Sequence, residues 1–119
     1  MRSKKVVAAA LLIALAACVI AVMPALGSRA ATTTITVRES EFKFVLSKRH
    51  APKGTVVFKL INKGKLAHDF KINGKKTRLL QPGKSTTLKV IFSKAGKFRY
   101  ICTVPGHAAA GTKGTFTVG

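Results

Sequence analysis

Residues 97–118 read KFRYICTVPGHAAAGTKGTFTV, a stretch that predicts a β-strand, a tight loop and a second β-strand. Tyr100 and Cys102 are two positions apart, so they share one face of the first strand. A Pro-Gly pair then turns the chain and brings His107 five positions after the cysteine. We therefore expect a thiolate and an imidazole close together at one end of the domain core.

The rest of the sequence beyond residue 30 also alternates between apolar and polar residues, with Gly, Pro and Asn between the alternating segments. It shows no helical period of useful length. Asn73-Gly74 is a strong turn signal. Strands of this length and spacing predict an all-β, antiparallel sandwich or barrel. The predicted strands are 33–37, 41–46, 55–62, 67–72, 86–92, 97–102 and 114–118.

The first 30 residues have the layout of a secretory signal. They combine a basic start, an uncharged stretch over residues 6–26 and small residues near a cleavage point after Ala30. The sequence therefore divides into residues 1–30, a signal peptide or N-terminal membrane-anchor helix, and residues 33–119, a single small folded domain.

Two alternatives for this leader stay open. Leu15-Ala16-Ala17-Cys18 resembles a lipobox, which would place a lipid on Cys18, although residues 19–26 remain apolar instead of forming a polar tether. An uncleaved leader would be an anchor, because about 20 apolar residues span a bilayer. Each alternative leaves the domain outside the cytoplasm.

The charge is strongly positive. Four of the 22 lysine and arginine residues lie in the leader, which leaves 18 against three acidic residues. Such a field favours anionic partners, either an acidic protein or anionic polymers of the cell envelope surface. Nucleic acid is not expected, because the lysines are scattered and have no aromatic platforms beside them. Membrane contact is expected only through the N-terminal segment.

Cys102 is the only cysteine after the leader, and an isolated cysteine in an exported domain is an inert thiol, a dimer-forming thiol or a ligand. His68 begins the predicted strand 67–72, a place that can approach the same end of a sandwich. Two imidazoles and one thiolate form the ligand set of blue-copper electron-transfer sites. His50 follows two basic residues and is expected to be solvated.

Three segments make this domain resemble the cupredoxins, the plastocyanin and azurin family. They are the aromatic strand ending in cysteine (98–102), the Pro-Gly-His sequence (105–107) with the glycines at 111 and 114, and NKGKLAHDF (62–70). The resemblance implies a Greek-key cupredoxin-like β-sandwich over residues 33–119. It also implies one copper ion, alternating between Cu(I) and Cu(II), held by His68, Cys102 and His107. In the family, the electron enters through an exposed histidine within an apolar patch.

The sequence departs from the family pattern at Thr112, which stands where the family usually has a weak axial methionine. The only methionines, Met1 and Met23, lie in the leader. The resemblance therefore implies a three-coordinate copper, or one with a distant oxygen at the axial position. Asp69, next to His68, is expected to hydrogen-bond the ligand loop.

The predicted function is single-electron transfer to and from a redox partner protein, without transformation of a substrate. The alternative is a copper chaperone or copper buffer that acts outside the cytoplasm. A Cys-His hydrolase needs an exposed thiolate and an oxyanion hole, which a cysteine at a strand end fits poorly. A multicopper oxidase needs many more than the three histidines present.

Overall fold

The computed structural model describes residues 31–119, which form two β-sheets. The predictions of a signal peptide, of lipidation at Cys18 and of an uncleaved anchor helix fall on residues 1–30, outside the described residues. Among residues 31–119, no helix has the length and apolar character needed to cross a membrane.

The first sheet has four strands in the order β2-β1-β4-β7. Their bounds are β1 Thr32–Ser40, β2 Lys43–Leu46, β4 Gly54–Asn62 and β7 Ser85–Phe92. The second sheet has five strands in the order β3-β9-β8-β5-β6. Their bounds are β3 His50–Ala51, β5 Lys71–Ile72, β6 Lys75–Lys76, β8 Gly96–Ile101 and β9 Lys113–Val118. A single helical turn, α1 His107–Ala110, lies between β8 and β9.

The predicted all-β sandwich is confirmed, but both sheets are mixed, so the predicted antiparallel arrangement was wrong. β1 pairs with β4 in parallel, and β3 pairs with β9 in parallel. The chain leaves the β1–β2 hairpin, adds β3 to the other sheet and returns as β4 in the direction of β1. Apolar alternation identifies which face of a strand is buried, but it carries no information about the direction of its neighbour.

The core lies between the sheets and is built from alternate residues of the long strands. Val56, Phe58 and Leu60 of β4 are fully buried, as their alternation predicts. Phe58 packs against Phe70 and against Phe116, with ring centroids 5.1 and 5.4 Å apart. Aromatic pairs of this kind contribute about 0.5–1.5 kcal/mol beyond the area they bury.

Three predicted strand boundaries moved by two residues or more, and each change affects the region around the cluster of His68, Cys102 and His107. The first strand continues to Ser40, which places Glu39 inside the sandwich. The second begins only at Lys43, so Phe42 lies outside the core with 40% of its surface exposed. The predicted strand 67–72 is reduced to Lys71–Ile72, because the residues before it make an isolated bridge instead of a ladder.

The Asn73-Gly74 turn is confirmed. Asn73 and Gly74 have φ values of 49° and 77°, and they join β5 to β6 as a two-residue hairpin. Positive φ at both central residues is what this turn needs, and Asn followed by Gly supplies it at low steric cost.

Candidate metal centre

Three separate elements bring His68, Cys102 and His107 to one end of the sandwich. His68 precedes β5 and exchanges two backbone hydrogen bonds with Leu80, with N···O distances of 3.1 and 2.8 Å. Cys102 directly follows β8, and His107 is the first residue of α1. All three side chains are buried, with 0%, 1% and 8% of their surfaces exposed.

The ligand atoms of these residues converge on one point. The Cys102 Sγ atom lies 3.8 Å from His68 Nδ1 and 3.6 Å from His107 Nδ1, and the two Nδ1 atoms are 3.2 Å apart. A soft sulfur with two imidazole nitrogens fits copper, and it suits both Cu(I) and Cu(II). The described residues therefore contain a donor set that fits one copper ion.

Backbone hydrogen bonds close the loop between Cys102 and Thr112 on itself. The Cys102 N–H donates to the Thr112 carbonyl, and the Thr112 N–H donates to the His107 carbonyl, each at 3.0 Å. The His107 N–H donates to the carbonyl of Val104, also at 3.0 Å. Gly106 has φ of 84°, which favours glycine at the point where the loop turns into α1. The loop thus fixes the spacing of Cys102 and His107 through its own main chain.

Glu41 holds the outer nitrogen of His68. Its Oε2 atom is 2.6 Å from His68 Nε2, and its Oε1 atom accepts a hydrogen bond of 2.6 Å from the Lys65 N–H. The hydrogen bond with His68, followed by that from Lys65, lowers the pKa of Glu41, so the carboxylate is ionised. With Nε2–H donated to this carboxylate, Nδ1 of His68 is left as the free ligand atom.

Asp69 links the His68 segment to the cysteine loop, as predicted. Its N–H donates to the Cys102 Sγ atom at 3.5 Å, and its Oδ1 atom accepts a 2.6 Å hydrogen bond from the Thr103 N–H. Its Oδ2 atom also accepts a hydrogen bond from the Thr103 hydroxyl. Asp69 therefore positions the sulfur through both its backbone and its carboxylate.

Thr112 is fully buried beside this loop, and its hydroxyl has no hydrogen-bond partner. A buried hydroxyl without a hydrogen-bond partner lowers the stability of the fold, so a bound group that interacts with it would be favourable. The Thr112 backbone is hydrogen-bonded to both Cys102 and His107. The axial position that the family resemblance implied for its side chain stays a prediction.

His107 is more enclosed than the family resemblance implied. Only 8% of its surface is exposed, because the Phe42 ring stands edge-on against it with centroids 5.2 Å apart. Gly111 permits the close approach of Phe42, because an added Cβ there would come within 2.7 Å of the Phe42 carbonyl oxygen.

Burial also affects the cysteine. Desolvation raises the pKa of Cys102, and the N–H groups of Asp69 and Val104 partly oppose that rise. The metal-free thiol therefore keeps its proton more strongly than an exposed cysteine, and it must release that proton to act as a ligand.

Glu39 is a buried carboxyl behind the metal centre that the sequence reading did not single out. None of its surface is exposed, and neither of its side-chain oxygens has a hydrogen-bond partner. Desolvation, with a contribution from Asp69, raises its pKa to about 7. Ile35, Val37 and Glu39 are alternate residues of β1 and all point into the core. Extending the predicted strand by two residues would therefore have identified Glu39 as buried.

The other functional residue that the sequence reading missed is Glu41, because its contact with His68 joins positions 27 residues apart. His50 lies exposed in β3 and is not part of the ligand cluster.

A curated protein shares a short segment with this chain. Over 40 residues the chain is 45% identical to the copper-resistant cuproprotein CopI of Pseudomonas aeruginosa, a match covering 34% of this chain and only 22% of CopI. The chain thus spans about a fifth of the length of that relative.

Two solved structures are similar in fold. Auracyanin of Roseiflexus castenholzii matches with a TM-score of 0.59 and 21% identity, over 76% of this chain and 98% of its own. Rusticyanin of Thiobacillus ferrooxidans matches with a TM-score of 0.63 and 24% identity, over 76% and 79%.

The family model of the cupredoxin-like domain matches residues 9–118, which is most of the chain. The match begins inside the predicted leader, and the boundaries at residues 30 and 33 stay predictions. This chain belongs to the cupredoxin-like domain family.

Proposed function

We propose that this chain carries single electrons outside the cytoplasm through one copper ion bound by His68, Cys102 and His107. The observation that carries the proposal is the convergence of one Sγ and two Nδ1 atoms within 3.2–3.8 Å of one another, in a buried position. A copper ion bound there would supply the change between Cu(I) and Cu(II). The protein's own residues hold the donors in place and exclude water.

The rigidity of the donor set supports electron transfer. His68 is fixed by its bridge to Leu80 and by Glu41, and Cys102 by the loop that ends at Thr112. Electron exchange is fast only when the ligands move little between oxidation states, and donors locked by packing and hydrogen bonds meet that need.

We assign no substrate reaction to the site. The three donors are almost completely buried, which leaves no open position where a substrate could meet them. The partner in this proposal is another redox protein, and the large excess of basic residues favours an acidic one.

The test is to add Cu(II) to the purified protein and record the visible spectrum. We expect one copper per chain and an intense thiolate-to-copper absorption band, which Cys102→Ser abolishes. His50→Ala is the matched control, because His50 is exposed and outside the cluster, and it should leave the band unchanged. A colourless wild-type protein without bound copper would refute the proposal.

A second function, copper handling, is favoured by the 45% identical segment shared with a copper-resistant cuproprotein. In that case the protein would release Cu(I) rapidly to an acceptor chelator instead of cycling reversibly at an electrode. Measuring both rates on the same preparation separates the two functions.

A further inference from the structure

The outer face of the five-stranded sheet carries an ordered group of positive charges. Backbone pairing sets Lys76 opposite Lys71, and Lys71 opposite Ile101. Ile101 is in turn opposite Lys113, and Arg99 lies two residues before Ile101 on the same face of β8. We call the exposed cations of this surface the cationic face; they are Lys71, Lys76, Lys97, Arg99 and Lys113.

No acidic residue balances this charge within the sheet. None of the strands β3, β5, β6, β8 and β9, as described, contains an aspartate or glutamate. The three acidic residues of the chain are elsewhere: Glu39 and Asp69 are buried, and Glu41 is bound to His68. An ionic partner for the cationic face must therefore come from outside this sheet.

The outer face of the other sheet is a useful comparison within the same molecule. It also carries exposed cations, Arg38, Lys43, Lys59 and Lys89, but each is opposite a neutral residue on the adjacent strands. On the cationic face, in contrast, Lys71 and Lys76 are directly opposite each other. Like charges in that position destabilise a sheet, so their placement calls for an explanation other than folding.

The cationic face is also concave. An open cleft of about 410 Å³ lies over the β5–β6 hairpin and β8. Lys71 and Arg99 contribute charge to its lining, Ile101 contributes an apolar wall, and Ala108 of α1 also lines it. A second groove, lined by Arg99, Lys113, Gly114 and Thr115, adjoins it on the other side of Arg99.

We propose that the cationic face binds an acidic segment of a partner protein, with carboxylate side chains seated between Lys71 and Arg99. The charge is complementary, and the apolar wall at Ile101 can cover the aliphatic part of an Asp or Glu side chain. The concave shape favours a polypeptide over a membrane, because a flat anionic bilayer does not enter a cleft.

The position of the cleft relates it to the metal centre. Ala108 directly follows His107, so a segment bound in the cleft contacts the helical turn that carries a proposed copper ligand. Identifying the bound protein as the redox partner rests on the proposed function. Binding of the acidic segment itself does not depend on copper.

The experiment measures binding of a fluorescein-labelled dodecapeptide of alternating Glu and Asp to the purified protein by fluorescence anisotropy. Lys71→Glu combined with Arg99→Glu is compared with Lys59→Glu combined with Lys89→Glu, which makes the same change in net charge on the other sheet. We expect the first pair to weaken binding about tenfold or more and the second less than about threefold. Lys76→Glu with Lys113→Glu is a second pair on the same face.

Equal weakening by both pairs would overturn the proposal, since binding would then follow net charge alone. The proposal would also be overturned if the variant with Lys71→Glu and Arg99→Glu still bound the peptide but no longer bound phosphatidylcholine vesicles containing phosphatidylglycerol. That result would indicate that the cationic face binds a membrane surface. Each measurement is made with and without Cu(II). If the wild-type protein binds the peptide but shows no copper band, the result counts against the proposed function only. If it shows the copper band but does not bind the peptide, the result counts against the cationic face only.

Discussion

The metal end and the cationic face have opposite charge arrangements in one small domain. At the metal end, Glu41 hydrogen-bonds His68, Asp69 hydrogen-bonds the cysteine loop, and Glu39 is buried behind them. On the cationic face, lysines stand opposite one another without an acidic neighbour in the same sheet. The three acidic residues of this very basic chain therefore lie at the end of the sandwich that holds the cluster of His68, Cys102 and His107, whereas the cationic face has none.

The largest expected effect concerns Glu39. Its pKa is raised to about 7 from 4.5, so the folded state holds the proton more tightly than the unfolded state. Stability from this group is therefore complete below pH 4.5 and is lost as the pH rises to about 7. In the metal-free protein, wild type should lose about 3 kcal/mol more unfolding free energy over this range than Glu39→Gln does.

Urea unfolding of both proteins at several pH values measures this difference. If the unfolding free energies of wild type and Glu39→Gln change with pH in the same way, the buried carboxyl is not the source of the pH dependence. Glu39 would then no longer belong to the contrast between the metal end and the cationic face.

The next effect concerns Glu41. Glu41→Gln removes the negative charge beside Nε2 of His68 while keeping an oxygen that can accept a hydrogen bond. We expect Cu(II) affinity to fall about 10- to 100-fold, the usual range for residues that orient a metal ligand. Competition with a chelator measures it. Lys43→Gln, at the start of β2, changes the net charge in the opposite direction. If Cu(II) affinity rises there by as much as it falls in Glu41→Gln, Glu41 acts only through general charge.

A smaller effect is expected at Thr112. Thr112→Met places a thioether where the family usually has one, and it should shift the visible copper band and the reduction potential. The larger side chain in a fully buried position should cost about 1–3 kcal/mol of stability without metal. Thr112→Val keeps the size and removes the hydroxyl. If neither variant changes the spectrum or the potential, position 112 is not axial.

The smallest effect tests the cationic face. Lys76→Glu converts a like-charge pair with Lys71 into an opposite-charge pair, and it should stabilise the protein by about 0.5 kcal/mol in urea unfolding. Lys59→Glu should give no such gain, because its cross-strand neighbours are Thr36 and Thr87. A gain of the same size at both positions would assign the effect to reduced net charge.

Local sequence patterns predicted well what local sequence controls. The alternation at residues 56, 58 and 60 identified the buried face of β4, and Asn73-Gly74 identified a hairpin turn. The five-residue spacing from Cys102 to His107 placed those two donors together because a single loop holds both.

Contacts between distant parts of the chain were beyond those patterns. The parallel pairing of β1 with β4 depends on how the chain crosses between the sheets. The residues of a strand do not indicate that path. The Glu41–His68 contact likewise joins two loops that only the finished fold brings together. The predicted strand 41–46 included Phe42, but β2 starts only at Lys43 and leaves the Phe42 ring against His107.

The loop from Cys102 to Thr112 is held by hydrogen bonds within itself, and this affects how readily a metal ion could be bound and released. Since its hydrogen bonds run between its own main-chain groups, the loop does not need a metal to define its shape. Loading therefore carries little ordering cost, in contrast to small domains that fold only around their ion. If copper binds as proposed, the site could be emptied and refilled many times without passing through the unfolded state.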